Sequence, residues 1–189
     1  MKYLSKRTIQ KAAVGMLALI LLSLFAGCAA GEKRSEDAIN AESFGSFKAF
    51  DVNGKVVTEA VFGNAELTLV NCWGTYCSPC LAEMPDLGRI ADEYDGSTVN
   101  LIGVIVDKKS GDTFPGDVAA EVADIIAQTG ANYTHLLFSD SLNGTVIGDT
   151  YAIPTTFFVD KNGNLIGKPY VGARSYEDWS EIIRSILAK

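Results

Sequence analysis

The segment NCWGTYCSPC, residues 71–80, carries most of the structural information in this chain. It follows an apolar, strand-like run and precedes a segment over 81–94 whose pattern predicts a helix. Cys77 and Cys80 lie three residues apart, so the second thiol falls one helical turn beyond the first, on the same side. Unpaired N–H groups and the helix dipole favour a thiolate at the helix start. The pair is therefore predicted to be a redox-active disulfide.

The N-terminus has the pattern of a lipoprotein signal peptide. Four basic residues precede an uncharged, mostly apolar run over 12–26, which is too short to favour a stable membrane span. The run ends in LFAGC, small residues followed by Cys28, which resembles the lipobox of bacterial lipoproteins. The prediction is a signal peptide over 1–27, lipidation of Cys28, a polar tether over 28–43 and one domain over 44–189. An uncleaved membrane anchor is the alternative, and either one predicts an extracytoplasmic, membrane-tethered domain.

The charge balance argues against some classes of partner. The chain has 16 Lys and Arg residues against 23 Asp and Glu, a net charge of −7. Loss of residues 1–27 would remove four basic residues and no acidic ones, which leaves a net charge of −11. Because nucleic acids and anionic lipids attract basic surfaces, we expect no nucleic-acid binding and no membrane contact beyond the anchor itself.

Hydrophobic patterns after the tether predict alternating strands and helices. The predicted strands are a hairpin over 47–57 with its turn at 51–54, buried strands over 66–73 and 99–106, a short strand over 133–138, and a second hairpin from 155–159 and 164–168. The predicted helices lie near 81–94, with Pro85 expected to kink or interrupt it, and near 118–126, 142–151 and 179–187. A polar loop is predicted over 107–116. This order implies an α/β fold with a mixed sheet and helices on both faces.

Cys72 and His135 are interpreted as residues of the domain interior. Cys72 lies in an apolar strand and is predicted to be a small buried side chain, with a resolving or regulatory thiol as the alternative. His135 is the only histidine, and too few further ligands accompany it for a structural zinc site. No metal site is predicted.

Three motifs occur together in the domain. They are NxWxxxCxPC at 71–80, Glu83 and Pro85 just after it, and IPTTF at 153–157. In combination they resemble the thioredoxin-like lipoproteins and membrane-tethered oxidoreductases of the TlpA/ResA type. The resemblance covers the whole predicted domain and implies a thioredoxin fold with an N-terminal β-hairpin, a central helical insert, here roughly 107–133, and a mixed sheet flanked by helices.

The resemblance and thiol chemistry together predict three catalytic residues. Cys77 is expected to attack a substrate disulfide as a thiolate, and Cys80 then resolves the mixed disulfide. Resolution needs a proton acceptor near Cys80. Thioredoxin itself has a buried aspartate at the position of Asn71, which cannot titrate. Glu83, one turn beyond Cys80, matches the glutamate of the ResA-type motif and is assigned the acid–base or pKa-tuning role.

The same resemblance predicts substrate-binding residues. Pro154 is expected to be a cis proline that faces the disulfide and presents the backbone at Ile153 to an incoming polypeptide. Trp73 and Tyr76 are predicted to shape an apolar rim around Cys77.

The sequence thus predicts an extracytoplasmic thiol–disulfide oxidoreductase that reduces protein disulfides with no cofactor beyond its own cysteine pair. The resemblance implies recharging by a membrane thiol carrier of the CcdA/DsbD type. A disulfide-forming oxidase of the same fold is the main alternative. A peroxiredoxin-like peroxidase is a weaker alternative, since that family has Thr where this chain has Gly74. A Sco-like copper-binding module is another, although such proteins carry Cys-x-x-x-Cys and a distal histidine.

Overall fold

A five-stranded mixed sheet forms the centre of the fold in the computed structural model, which describes residues 42–189. The strands are β1 Lys48–Phe50, β2 Val56–Thr58, β3 Leu67–Trp73, β4 Val99–Lys109, β5 Thr134–Phe138, β6 Thr155–Asp160 and β7 Tyr170–Val171. The helices are α1 Ser78–Glu93, α2 Gly116–Thr129, α3 Asp140–Asn143 and α4 Tyr176–Leu187, and two 3₁₀ helices span Glu59–Asn64 and Val146–Asp149. The predicted signal peptide, Cys28 and the tether as far as residue 41 lie outside the described residues.

The sheet has the strand order β5-β4-β3-β6-β7. Strands β3, β4 and β5 are parallel, whereas β6 runs antiparallel to both β3 and β7. Strands β1 and β2 pair separately as an antiparallel hairpin. The predicted α/β class with a mixed sheet and the N-terminal hairpin are confirmed, and one helix, α2, lies within the predicted insert over 107–133.

The three long helices all pack on one face of the sheet. Leu67 and Leu69 of β3 point towards this face, where they pack with Trp179 and Ile183 of α4 and with residues of α1. Further along the same face, Trp73 packs with Val122 of α2 and with both cysteines of the predicted pair. Since residues alternate along a strand, this face carries every second side chain of β3.

The opposite face is covered by shorter elements. Val70 and Cys72 of β3 pack there against aromatic side chains from the N-terminal segment and the first 3₁₀ helix, with α3 and the second 3₁₀ helix completing the cover. Edge-to-face contacts link Phe44 with Phe47 and Phe62, at 5.9 and 5.0 Å between ring centroids. Helices therefore lie on both faces as predicted, but those of this face are short.

Several predicted boundaries are wrong. Strand β4 continues to Lys109, so the polar loop begins three residues later than 107. The helix predicted over 142–151 is two short pieces, α3 and a 3₁₀ helix, with Gly144 between them. Helix α1 begins at Ser78, three residues before the predicted start, and Pro85 does not interrupt it.

The second strand of the C-terminal hairpin is also misplaced in the prediction. The turn at 160–163 is confirmed, with Gly163 at φ 81°. After it, Leu165 forms only an isolated bridge with Val159, and regular pairing resumes at β7. Gly167 at positive φ and Pro169, which lacks an N–H, interrupt the ladder between them.

Within residues 42–189, no helix is both long enough and apolar enough to cross a membrane.

Candidate active site

Cys77 and Cys80 form a disulfide at the N-terminus of α1, with their Cα atoms 5.2 Å apart. Cys77 is the N-cap residue, and its Sγ accepts a hydrogen bond from the Cys80 N–H at 3.3 Å. Pro79 lies in the first turn, where its missing N–H leaves no donor unpaired. Cys77 is 7% exposed and Cys80 is fully buried. The two cysteines thus differ in exposure, and Cys77 is the less buried residue of the pair.

Glu83 lies one turn beyond Cys80 and is only 2% exposed. Its Oε1 accepts a hydrogen bond from Asn71 Nδ2 at 2.9 Å, and its Oε2 accepts one from the Arg174 N–H at 3.1 Å. Asn71 Nδ2 also donates to Thr156 Oγ1 at 3.0 Å. The Asn71 side chain therefore orients the carboxylate of Glu83.

The surroundings of Glu83 increase its affinity for a proton. Burial raises the pKa of the Glu83 carboxyl, and the hydrogen bonds from Asn71 and Arg174 offset this only in part. The indole N–H of Trp179 also favours the charged form, although its geometry falls short of a hydrogen bond. A carboxyl with a raised pKa one helical turn beyond Cys80 has the proton affinity to exchange a proton with the Cys80 thiol of the reduced enzyme.

The Ile153–Pro154 peptide bond is cis, as predicted. Ile153 packs against the cluster that contains both cysteines, so the loop lies beside the disulfide. The Gly172 N–H donates to the Pro154 carbonyl oxygen at 2.8 Å and ties the loop to the end of β7.

Trp73 does not lie at the rim around Cys77, so the prediction for this residue is wrong. Its side chain is fully buried in the cluster behind the disulfide, and its Nε1 donates to His135 Nδ1 at 3.1 Å. It is the last residue of β3 and faces α1, where a large apolar side chain fills the space under the helix. Tyr76, in contrast, is 73% exposed next to Cys77, a position consistent with a rim.

Cys72 and His135 are both buried, as predicted. Burial raises the pKa of the Cys72 thiol to about 12, so Cys72 stays protonated at neutral pH. His135 Nε2 bonds to the Ala131 carbonyl oxygen at 2.9 Å, which leaves Nδ1 as the acceptor for Trp73. Burial lowers the pKa of His135 to about 4. Within the described residues, no group of three or more His, Cys, Asp and Glu side chains is arranged to hold a metal ion.

Two residues near the site were missed by the sequence analysis. Asp107, near the end of β4, accepts hydrogen bonds from Thr75 in the turn before Cys77. A signal for it existed, because parallel strands place their carboxyl ends at the same edge of a sheet. Tyr151, two residues before Ile153, is 88% exposed, and no periodic pattern marks it.

Comparison with known proteins settles the family. Residues 41–167, more than half of the chain, match the model of the AhpC/TSA family. The chain belongs to the AhpC/TSA family. A thiol:disulfide interchange protein DsbE from Allochromatium vinosum is 30% identical over 139 residues, which cover 74% of this chain and 68% of that protein. A thiol-disulfide oxidoreductase ResA from Bacillus thuringiensis is 26% identical over 145 residues, or 75% of each chain.

A solved structure agrees with these relatives. The crystal structure of a thioredoxin-family thiol:disulfide interchange protein from Chlorobium tepidum TLS matches with a TM-score of 0.63 and 26% sequence identity, over 78% of this chain and 97% of that chain. This AhpC/TSA member is therefore a thiol–disulfide oxidoreductase with a thioredoxin fold.

The geometry disfavours the peroxidase alternative. Gly74 stands three residues before Cys77, and the adjacent hydroxyl, Thr75 Oγ1, donates to Asp107 Oδ2 at 2.6 Å. A hydroxyl held in this way is not free to donate to a peroxide at Cys77.

Proposed function

We propose that this oxidoreductase reduces disulfides of extracytoplasmic proteins, with Cys77 as the attacking thiolate and Cys80 as the resolving thiol. The observation that carries the proposal is the unequal burial of the two cysteines at a helix N-terminus. Cys77 is the N-cap residue and receives an N–H from Cys80, which favours its thiolate. Cys80, fully buried behind it, meets a substrate only after Cys77 has bonded to it.

In this proposal Glu83 accepts the proton of Cys80 when the mixed disulfide is resolved. The reduced enzyme holds two thiols, and the reaction transfers two electrons to the substrate disulfide. Cys77 Sγ bonds to one substrate sulfur and releases the other as a thiolate. Cys80 Sγ then forms the enzyme disulfide and releases the second substrate thiol. The raised pKa of Glu83 brings its proton affinity closer to that of a thiol, which supports this assignment.

A polypeptide substrate has an apolar surface to bind around the disulfide. Five large apolar side chains are exposed within residues 42–189, and three of them adjoin the active-site segments in sequence or register, namely Tyr76, Tyr151 and Val171. Val171 pairs with Thr155, next to Pro154, and Tyr151 precedes Ile153 by two residues. We propose that Tyr76, Ile153 and Pro154 contact the substrate backbone, which adds as a short strand. Trp73 supports this surface from below.

The location and the supply of electrons also belong to this proposal. Cleavage after residue 27 and lipidation of Cys28 would anchor the domain to the outer side of the cell membrane through its tether. Reduction at that side needs a steady source of electrons, for which we propose a membrane thiol carrier of the CcdA/DsbD type. No cofactor other than the cysteine pair is required.

The reduction potential of the Cys77–Cys80 pair tests the direction. The protein is equilibrated with dithiothreitol or glutathione buffers, and the reduced fraction is counted by thiol trapping and mass spectrometry. A value near that of thioredoxin, about −270 mV, is expected for a reductase. A reduction potential of about −120 mV would instead indicate a disulfide-forming oxidase.

A further inference from the structure

The Asp107 carboxylate forms hydrogen bonds with the turn that precedes Cys77. Asp107 Oδ1 accepts a hydrogen bond from the Thr75 N–H at 3.0 Å, and Asp107 Oδ2 accepts one from Thr75 Oγ1 at 2.6 Å. Both bonds have a charged acceptor, which makes them stronger than bonds between neutral groups. Thr75 is thereby fixed in both its backbone and its side chain by a residue 32 positions away in the sequence.

This contact is transmitted to Cys77 through a single turn. The Cys77 N–H donates to the Gly74 carbonyl oxygen at 3.0 Å, so Gly74, Thr75, Tyr76 and Cys77 form a turn with Thr75 inside it. The same turn sets the start of α1, where Cys77 Sγ receives the Cys80 N–H. A rotation of Thr75 would therefore change the direction in which Cys77 Sγ points.

Asp107 also lies where the two active-site loops meet. A Cβ atom at Gly74 would stand 3.2 Å from Asp107 Oδ1, 3.0 Å from Ile153 Cδ1 and 3.3 Å from Tyr76 Cε1. The carboxylate thus packs beside the turn before Cys77 and beside the loop of Pro154. A small shift of this turn would therefore change the distance between Cys77 and the loop of Ile153 and Pro154.

We propose that Asp107 is a positioning residue of the thiol–disulfide reaction, which holds Thr75 so that the turn directs Cys77 towards the substrate. The inference rests on the proposed function, since it assigns a role within that reaction. Asp107 does not touch the reacting sulfurs in this account and acts only through Thr75.

Two variants of equal charge test the proposal. In Asp107→Asn the amide oxygen accepts from the Thr75 N–H and the amide nitrogen donates to Thr75 Oγ1, so both contacts persist without the charge. In Asp107→Ala both contacts are lost. We expect kcat/KM for reduction of a protein disulfide to be about tenfold lower in Asp107→Ala than in Asp107→Asn, mainly through kcat, because a misdirected nucleophile slows attack rather than binding. Alkylation of reduced Cys77 by iodoacetamide, followed against pH, should show a higher midpoint in Asp107→Ala.

The outcome that overturns the proposal is equal kcat/KM and equal alkylation midpoints in the two variants. Rates are measured well below each variant's unfolding temperature, so that lost stability does not count as lost positioning. If Asp107→Ala does not fold, Thr75→Val against Thr75→Ser makes the same comparison, because only serine keeps the hydroxyl. Asp112→Ala, exposed in the following loop, is the matched control and should behave as wild type.

The alkylation readout separates this proposal from the proposed function. It needs no protein substrate and reports on Cys77 when the modified peptide is identified by mass spectrometry. A wild-type protein without disulfide turnover would refute the proposed function, and the midpoints of the Asp107 variants would still decide whether Asp107 orients Cys77.

Discussion

Glu83 is buried, which is unusual for a glutamate on a helix. Glutamates on helices are mostly exposed, yet this one is 2% exposed and bonded to β3 and to the loop before α4. The motif resemblance singled out Glu83, and its neighbour Asn71, from the sequence. The bond between them, and the one from the Arg174 N–H, depend on how α1 and α4 pack and could not be read from local patterns.

The raised pKa of Glu83 makes stability depend on pH. Because the folded state binds this proton more tightly than the unfolded state, its contribution to stability is greatest below the ordinary pKa of 4.5 and falls as pH rises towards the raised value. Glu83→Gln removes this titration. We expect the free energy of unfolding of Glu83→Gln, relative to wild type, to increase from pH 4.5 to pH 8 in denaturant titrations. A difference that does not change with pH would show that burial has not raised the pKa of Glu83.

His135 allows a second test at a single residue. Its pKa is lowered from 6.5 to about 4 by burial, so the unfolded state takes up a proton between these values and the folded state does not. Stability is therefore fully present above pH 6.5 and is lost as pH falls to 4, by up to about 3 kcal/mol. Since His135 is the only histidine, one imidazole NMR signal reports its state. The signal should stay constant between pH 5 and 8, and a midpoint near 6.5 would contradict the buried geometry.

At the scale of elements, the central strands of the sheet were predicted better than the short helices and the return strand that follow them. The central strands β3 and β4 are mostly apolar, with the apolar stretches of both strands buried, which is the pattern of strands covered on both faces. The short elements after β5 and the return strand after β6 were misjudged because glycine and proline positions there, such as Gly144 and Pro169, cut the pattern into pieces too short to show periodicity.

One row across the sheet explains how polar groups are accommodated under α1. Thr156, Asn71, Gly103 and His135 are register neighbours on β6, β3, β4 and β5. The row places Asn71 under Glu83 and leaves space at Gly103, which the His135 ring and the Trp73 indole fill.

Gly103→Ala tests this arrangement. Its Cβ atom would overlap His135 Nδ1 and stand 3.0 Å from Trp73 Nε1, and neither ring has free space to move into because both are fully buried. We expect a loss of about 1–3 kcal/mol in the free energy of unfolding, the usual cost of overpacking. Gly96→Ala, where a Cβ atom meets nothing within 4 Å, is the matched control. Equal stability of the two variants would contradict the packing described for the row.

At the scale of the whole molecule, the fold and the reaction class follow from the domain, whereas the location depends on the N-terminal segment. We expect Cys28→Ala to move the full-length protein from the membrane fraction to the soluble fraction or to block its processing, because the thiol that accepts the lipid is lost. Fractionation and intact-mass measurement check this. A wild-type protein that keeps residues 1–27 and carries no lipid mass on Cys28 would favour the uncleaved anchor.

The trapping of a mixed disulfide tests the central claim most directly. Reduced Cys80→Ser and Cys77→Ser proteins are each mixed with a disulfide-containing protein substrate, and covalent complexes are detected by non-reducing electrophoresis and mass spectrometry. The account predicts a complex bonded through Cys77 in Cys80→Ser, because the more accessible thiol attacks and no thiol resolves it. It predicts no complex in Cys77→Ser. A complex that forms through Cys80, or equally with both variants, would contradict the assignment of attacking and resolving thiols.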